Sequence, residues 1–319
     1  MDIQKRSTRF GAALILFAVL LRLCSGILGI EFHLPQLKVG QGQHWQRPGA
    51  TLQPPAQSVP EGAPRWYRFA AADLQYTRVQ YAWDCGHRPE LEKLLLQQLS
   101  WDLSGPEPTV LILHTHASES YTRQPEQNYA EAGDYRTLEE AYNMVAVGDH
   151  LAKLLTDAGI GVIHDRQIHD YPSYNDAYIH ARESIRTYLA QYPSICLVLD
   201  LHRDAALNVD GSQYAASVPV NGEKTAQIML VMGTDASGNY HPNWQDNLAL
   251  ALKLQVLLEK QTPGITRQTV LRAQRFNQDL AKGMLLVEIG AAGNSLEEAM
   301  RTVPLLAQAL AQLMHGANG

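Results

Sequence analysis

CLVLDLHRDA (196–205) is an apolar, branched-residue run that stops abruptly at His202, with Arg203 and Asp204 behind it. A run of this kind, without polar alternation, marks a strand buried on both faces of a parallel sheet. Two other stretches repeat the pattern. TVLILHTHASESY (109–121) ends on His114 and His116, and MLLVEIGAAGN (284–294) carries Glu288 inside it. In an open α/β sheet the ligand site lies at the carboxyl ends of the strands. These three strands therefore direct two imidazoles and several carboxylates to one edge.

The surrounding sequence supplies the rest of such a sheet. Apolar residues recur at helical spacing over 138–159, 174–192, 243–261 and 295–314, and further strands are predicted at 159–165 and 226–234. Gly159 and Pro193 close the first two helices, and Ser295 with Glu298 reads as a capping box for the last. Strands alternating with helices predict an α/β domain over 108–319, a mostly parallel twisted sheet with helices on both faces. Residues 66–107 read as a small preceding subdomain, with helical spacing over 89–103.

Upstream the composition changes twice. Lys5, Arg6 and Arg9 precede an apolar segment over 11–30, about the length that spans a bilayer. Arg22 is its one interior charge, placed where it can snorkel. The basic residues put 1–10 in the cytoplasm and the remainder outside the cell, on the membrane surface. A cleaved signal peptide, with small residues at Ser25 and Gly26, is the competing reading, and it exports the same domain. Residues 31–65, rich in Pro and Gln, read as a tether.

Composition narrows the function. A net charge of −6 removes the electrostatic case for nucleic acid. Three cysteines, with no paired spacing, make neither a disulfide framework nor a thiolate metal site. The histidines carry more. His116 and Glu119 form an H-x-x-E pair at a strand end, and His202 arrives from another strand. Two His and one Glu with an open fourth position is the donor set of a catalytic zinc site. Glu139 and Glu140, at the start of the first long helix, are rival third ligands, and His114 is read as a supporting donor behind the metal. Glu288 sits in a buried strand, where an unpaired carboxylate is costly, and is the candidate general base. Arg203 is the candidate for a substrate carboxylate or an oxyanion. Bland readings cover the rest: Trp66, Trp83 and Trp101 as packing anchors, His164 and His169 as supporting or surface groups, and His241 as a packing or substrate residue of a loop.

HTHASESY, YNMVAVGDHLAKLL, GVIHDRQIHDYPSYNDAY, DLHRDA, GTDASGNYHPNWQDNLALA and RFNQDLAKGMLLVEIGAAGNSLEEA occur in this order over 108–314. Together they resemble the stage II sporulation protein P family. More distantly, the three strand motifs resemble N-acetylmuramoyl-L-alanine amidases, an alignment that puts His116 and His202 on zinc and Glu288 in the catalytic role. In it the helix-borne zinc glutamate falls near Glu139 or Glu140. The resemblance implies a membrane-anchored zinc peptidoglycan hydrolase that cuts the N-acetylmuramic acid–L-alanine amide, with endopeptidase action on cross-links, during engulfment in sporulation. It also implies stage II sporulation proteins D and M as partners. Two other classes stay open: a zinc carboxypeptidase-like peptidase, whose motif order is the same, and an inactive peptidoglycan-binding scaffold.

Overall fold

The computed structural model describes residues 67–99, 101 and 107–316. The predicted cytoplasmic tail, anchor and linker lie outside the described residues, as does Trp66. No helix of the described residues is long and apolar enough to cross a membrane.

Among the described residues nine strands and five α-helices follow one another: β1 Val79–Tyr81, α1 Leu91–Leu96, β2 Val110–Leu113, α2 Met144–Asp157, β3 Val162–His164, α3 Ala177–Gln191, β4 Leu197–Asp204, β5 Ser217–Val220, β6 Glu223–Ala226, β7 Ile228–Gly233, α4 Trp244–Gln261, β8 Thr269–Arg272, β9 Met284–Ala291 and α5 Leu296–Gly316. Seven strands form one sheet in the order β1-β8-β7-β9-β4-β2-β3, and β5 with β6 makes a separate hairpin. The sheet is mostly parallel, as the apolar runs predict. Its exception is the contact of β7 with β9, which is antiparallel. Strands β1, β8 and β7 are parallel to one another, so their carboxyl ends lie at the opposite edge from those of β9, β4, β2 and β3.

Helices cover the two faces unequally. Val110 and Ile112, Leu197, Leu199 and Leu201, and Leu285, Val287 and Ile289 point to one face, where α2, α4 and α5 pack in the large core. The alternate residues Leu111, Leu113, Val198 and Met284 meet Ala181 and Ile185 of α3 on the other. Farther along that second face Met229, Val231 and Leu286 form a smaller buried cluster, with Val270 and Phe276 packed against them. Side chains alternate along a strand, so register alone decides which face each residue serves.

Some elements differ from the sequence reading. Of the segment over 66–107, β1 pairs with β8 as the edge strand of the main sheet, and Lys253 of α4 donates to the carbonyls of Leu94 and Leu95. The helix of this segment is a single short turn set, because Gln97 leaves helical geometry. Strands β1 and β8 and the β5–β6 hairpin escape the apolar-run rule, being short and partly exposed. Helix α2 starts later than predicted, where the Asn143 side chain accepts from the Val145 N–H. Ser295 Oγ accepts from the Glu298 N–H, but the Glu298 carboxylate takes the Asn294 amide rather than closing the box. Trp83 is 97% exposed, so it anchors nothing in the core.

Candidate active site

The register of β4 on β9 builds the centre of the site. His202 stands opposite Glu288 across the two strands, and residues in register project to the same face. Strand β2 ends just before His114, and the chain then turns back, with the Glu119 N–H donating to the His116 carbonyl. That turn carries Glu119 Oε2 to 3.3 Å from His202 Nδ1. It also sets the His116 and His202 rings 5.4 Å apart, edge to face. The two histidines and the glutamate expected on the metal are thus gathered at one strand edge with Glu288 beside them.

Other side chains hold this group. Asp200, two residues before His202 and so on its face, accepts from the Thr115 N–H and hydroxyl at 2.7 and 2.6 Å and lies 3.0 Å from His202 Nε2. Asp170 accepts from the Ser118 N–H and hydroxyl and approaches His116 Nδ1 at 3.9 Å. Tyr174 stacks on the His116 ring at 4.5 Å, and the Arg136 guanidinium lies over the Tyr174 ring at 4.6 Å. Asp200 has a sequence signal, the i, i+2 spacing in VLDLHRD. Asp170 and Arg136 have none, because loops bring them in.

The charges follow from these contacts. Burial works to lower the His202 imidazole, but the Asp200 and Glu119 carboxylates outweigh it and hold it well above the usual histidine range. Burial works to raise Glu119, but the His202 hydrogen bond and the Arg203 guanidinium hold it at about 2. Glu288 lacks such a partner. Burial, with Glu119 and Asp204 nearby, pushes its carboxyl up to about 8, and Oε2 is buried without a hydrogen bond.

Several expectations need correction. Arg203 is buried and occupied: Nε donates to Ser120 O, Nη2 donates to Tyr135 O, and Nη1 lies 3.5 Å from Glu119. These contacts fasten the 119–135 loop to β4. Glu139 accepts from the Ala130 N–H and Glu140 pairs with Arg166, so both rivals of Glu119 are engaged away from His202. His114 is fully buried, with Nδ1 on Leu201 O and Nε2 2.8 Å from His164 Nε2. Burial lowers it to about 3. His164 in turn meets Asp149, and Gly148 makes room for the imidazole pair, since a Cβ there would strike both rings. His241 follows β7, whose reversed direction puts it at the opposite edge, away from His202.

Among the described residues no three His, Cys, Asp or Glu side chains are spaced to hold an ion as they stand. His202 has a carboxylate against each ring nitrogen. The donor types nonetheless suit zinc, being two imidazoles and a carboxylate, and the buried His116 Nδ1 has no hydrogen-bond partner.

The fold and this edge define an α/β protein with a site built from histidines and carboxylates. Residues 70–311 match the family profile of stage II sporulation protein P, and the chain belongs to that family. It is 25% identical over 221 residues to stage II sporulation protein P of Bacillus subtilis (strain 168), covering 66% of this chain and 52% of that protein. The chain thus spans about half the length of the curated relative it matches. Among solved structures, it is similar to the CwlD amidase of Clostridioides difficile in complex with the GerS lipoprotein (TM-score 0.39, 14% identity, 66% of this chain and 98% of that one). It is also similar to the apo N-acetylmuramyl-L-alanine amidase of Mycobacterium abscessus (TM-score 0.37, 14% identity, 67% and 100%).

Proposed function

We propose that this chain is a peptidoglycan hydrolase of sporulation that cuts the amide between N-acetylmuramic acid and the L-alanine of the stem peptide. The observation that carries the reading is the register of Glu288 on His202, with His116 and Glu119 turned onto the same edge. Family membership supports it. In this reading residues 11–30 anchor the chain, its catalytic domain lies outside the cell membrane, and stage II sporulation proteins D and M work beside it. Cleavage of stem-peptide cross-links is a second activity within the same proposal.

His116, Glu119 and His202 would hold zinc, which would replace the present contact of Glu119 with His202. Zinc in that position supplies Lewis acidity toward a scissile carbonyl. Glu288 is the proton carrier. Burial pushes its half-buried carboxyl up to about 8, and in its ionised form it would accept a proton from the attacking water and return it to the leaving amine. Asp200 and Asp170 keep His202 and His116 in place, and Tyr174 walls the His116 ring from solvent. Arg203 holds the loop that carries Glu119.

Digestion of purified cell wall tests the reading. New L-alanine amino termini are expected. New reducing ends would instead mark a glycan cutter, released terminal amino acids a carboxypeptidase, and an unchanged wall a binding scaffold.

A further inference from the structure

The row that begins at His202 does not stop at Glu288. Glu288 stands opposite Met229 of β7, and Leu286 opposite Val231, which in turn pairs with Val270 of β8 and through it with Gln80 of β1. These residues lie on the second face of the sheet, beyond the reach of α3. Met229, Val231 and Leu286 are buried there, 8%, 6% and 3% exposed, with Val270 and Phe276 packed against them. A strip of strand partners in register therefore leads from the candidate general base to the β1 edge.

The far end of the strip is polar and hollow. A cavity of about 330 Å³ is lined by Met229 together with Arg78, Arg267, Gln80, Gln227 and Gln268. Met229 is both the register neighbour of Glu288 and a wall of this cavity, so the cavity begins one strand away from Glu288. Each arginine is fixed through one nitrogen. Arg78 Nη2 donates to Thr266 O at 2.6 Å and to Glu259 at 3.1 Å, and Arg267 Nη1 donates to Asp204 at 2.6 Å. A guanidinium has five N–H donors in a planar fork that matches a carboxylate. Among the described residues the remaining donors of both forks make no hydrogen bond. Both guanidiniums are already held, so ordering them for a ligand costs little side-chain entropy. The three glutamines add amide donors and acceptors suited to a peptide backbone, and the lining contains no carboxylate of its own.

We propose that this groove holds the peptide arm of the substrate, with a carboxylate of that peptide on Arg78 and Arg267. The inference rests on the hydrolase reading above and adds to it the direction in which the peptide runs: from Glu288 across β7 and β8 toward β1. Arg78 and Arg267 act as specificity residues for acidic peptides and take no part in bond breaking.

Binding tests the groove without hydrolysis. The full chain is titrated by calorimetry with the tripeptide L-Ala-γ-D-Glu-L-Lys and with the same tripeptide amidated at every carboxylate. The carboxylate form is expected to bind about tenfold tighter, as charge-assisted pairing to a guanidinium implies. Arg267→Ala should bring the ratio of the two affinities to about one, and Arg267→Lys should keep part of it. Equal affinity of the native chain for both peptides, or binding of neither, overturns the proposal. That comparison needs no variant, so a variant that fails to fold leaves the test standing. Wall digestion is scored separately. A chain that opens muramoyl–L-alanine amides without preferring the carboxylate peptide keeps the hydrolase reading and loses the groove. A chain that prefers the carboxylate peptide and opens no wall amide does the reverse.

Discussion

Two ends of one sheet bury histidines, and they treat them differently. At the carboxyl end of β4, His202 is flanked by Asp200 and Glu119 and faces Glu288 in register. At the carboxyl end of β7, His241 is 1% exposed and neither ring nitrogen has a hydrogen-bond partner. Near it, His87 pairs with Asp235 at 2.6 Å and stacks on Trp244, partly open to solvent. The residue types are similar, so composition does not separate the two ends. Strand direction does. Strands β2, β4 and β9 run together and bring their polar ends side by side, while β7 runs against β9 and takes its histidine away. The lesson is that a histidine after a strand becomes a site residue only when neighbouring strands end beside it.

Four experiments bear on this contrast. The largest effect is expected at the paired end: His116→Ala or His202→Ala should abolish wall hydrolysis and lower bound zinc from about one per chain to near zero by elemental analysis. Retention of full zinc by either variant would remove that residue from the ligand set. Next, Glu288→Gln should lower the rate by about 10²- to 10⁴-fold, the usual range for a general acid–base group, with zinc content unchanged. Zinc loss in folded Glu288→Gln protein would point to a ligand instead.

The smaller effects concern burial without a counter-charge. Lys253 is buried, and burial lowers its ammonium to about 8. Between about pH 8 and the unfolded lysine value near 10.4, the unfolded chain holds more of this proton than the folded one, so stability should rise with pH by up to about 3 kcal/mol from this group. Below pH 8 the full cost is present. Lys253→Met should erase that rise when denaturant unfolding of both proteins is followed across the window; parallel curves would mean the lysine is not desolvated. Smallest, His241→Leu removes a buried imidazole with no partner, so it should stabilise the fold by about 1 kcal/mol and leave wall hydrolysis within about twofold of native. A marked loss of hydrolysis would place the two ends in communication.

Much of the central fold is legible in the chain because parallel strands buried on both faces need unbroken apolar runs. The runs at 109–113, 196–201 and 284–290 correspond to β2, β4 and β9, and the helical spacings correspond to α2 through α5. The edge strands are not legible: Val79–Tyr81 and Thr269–Arg272 are too short and too exposed to carry a pattern. Within the site, His116, Glu119, His202 and Glu288 stand out because polar groups that interrupt or end apolar runs are costly without a role. Arg203 misleads for the same reason. Its neighbourhood in sequence suggests chemistry, whereas its contacts, Ser120 O and Tyr135 O, come from a loop that no local pattern places.

By itself the sequence determined which residues the sheet exposes at its strand ends, since alternation and apolar runs are local properties of a strand. It also carried the family likeness, in the order of its motifs. Only the tertiary structure decided that β7 reverses against β9, that Asp170 and Arg136 gather beside His116 and Tyr174, and that a small separate cluster forms on the second face beyond Glu288. Those outcomes depend on which strands become neighbours and where loops return, and both are set by packing between segments far apart in the chain.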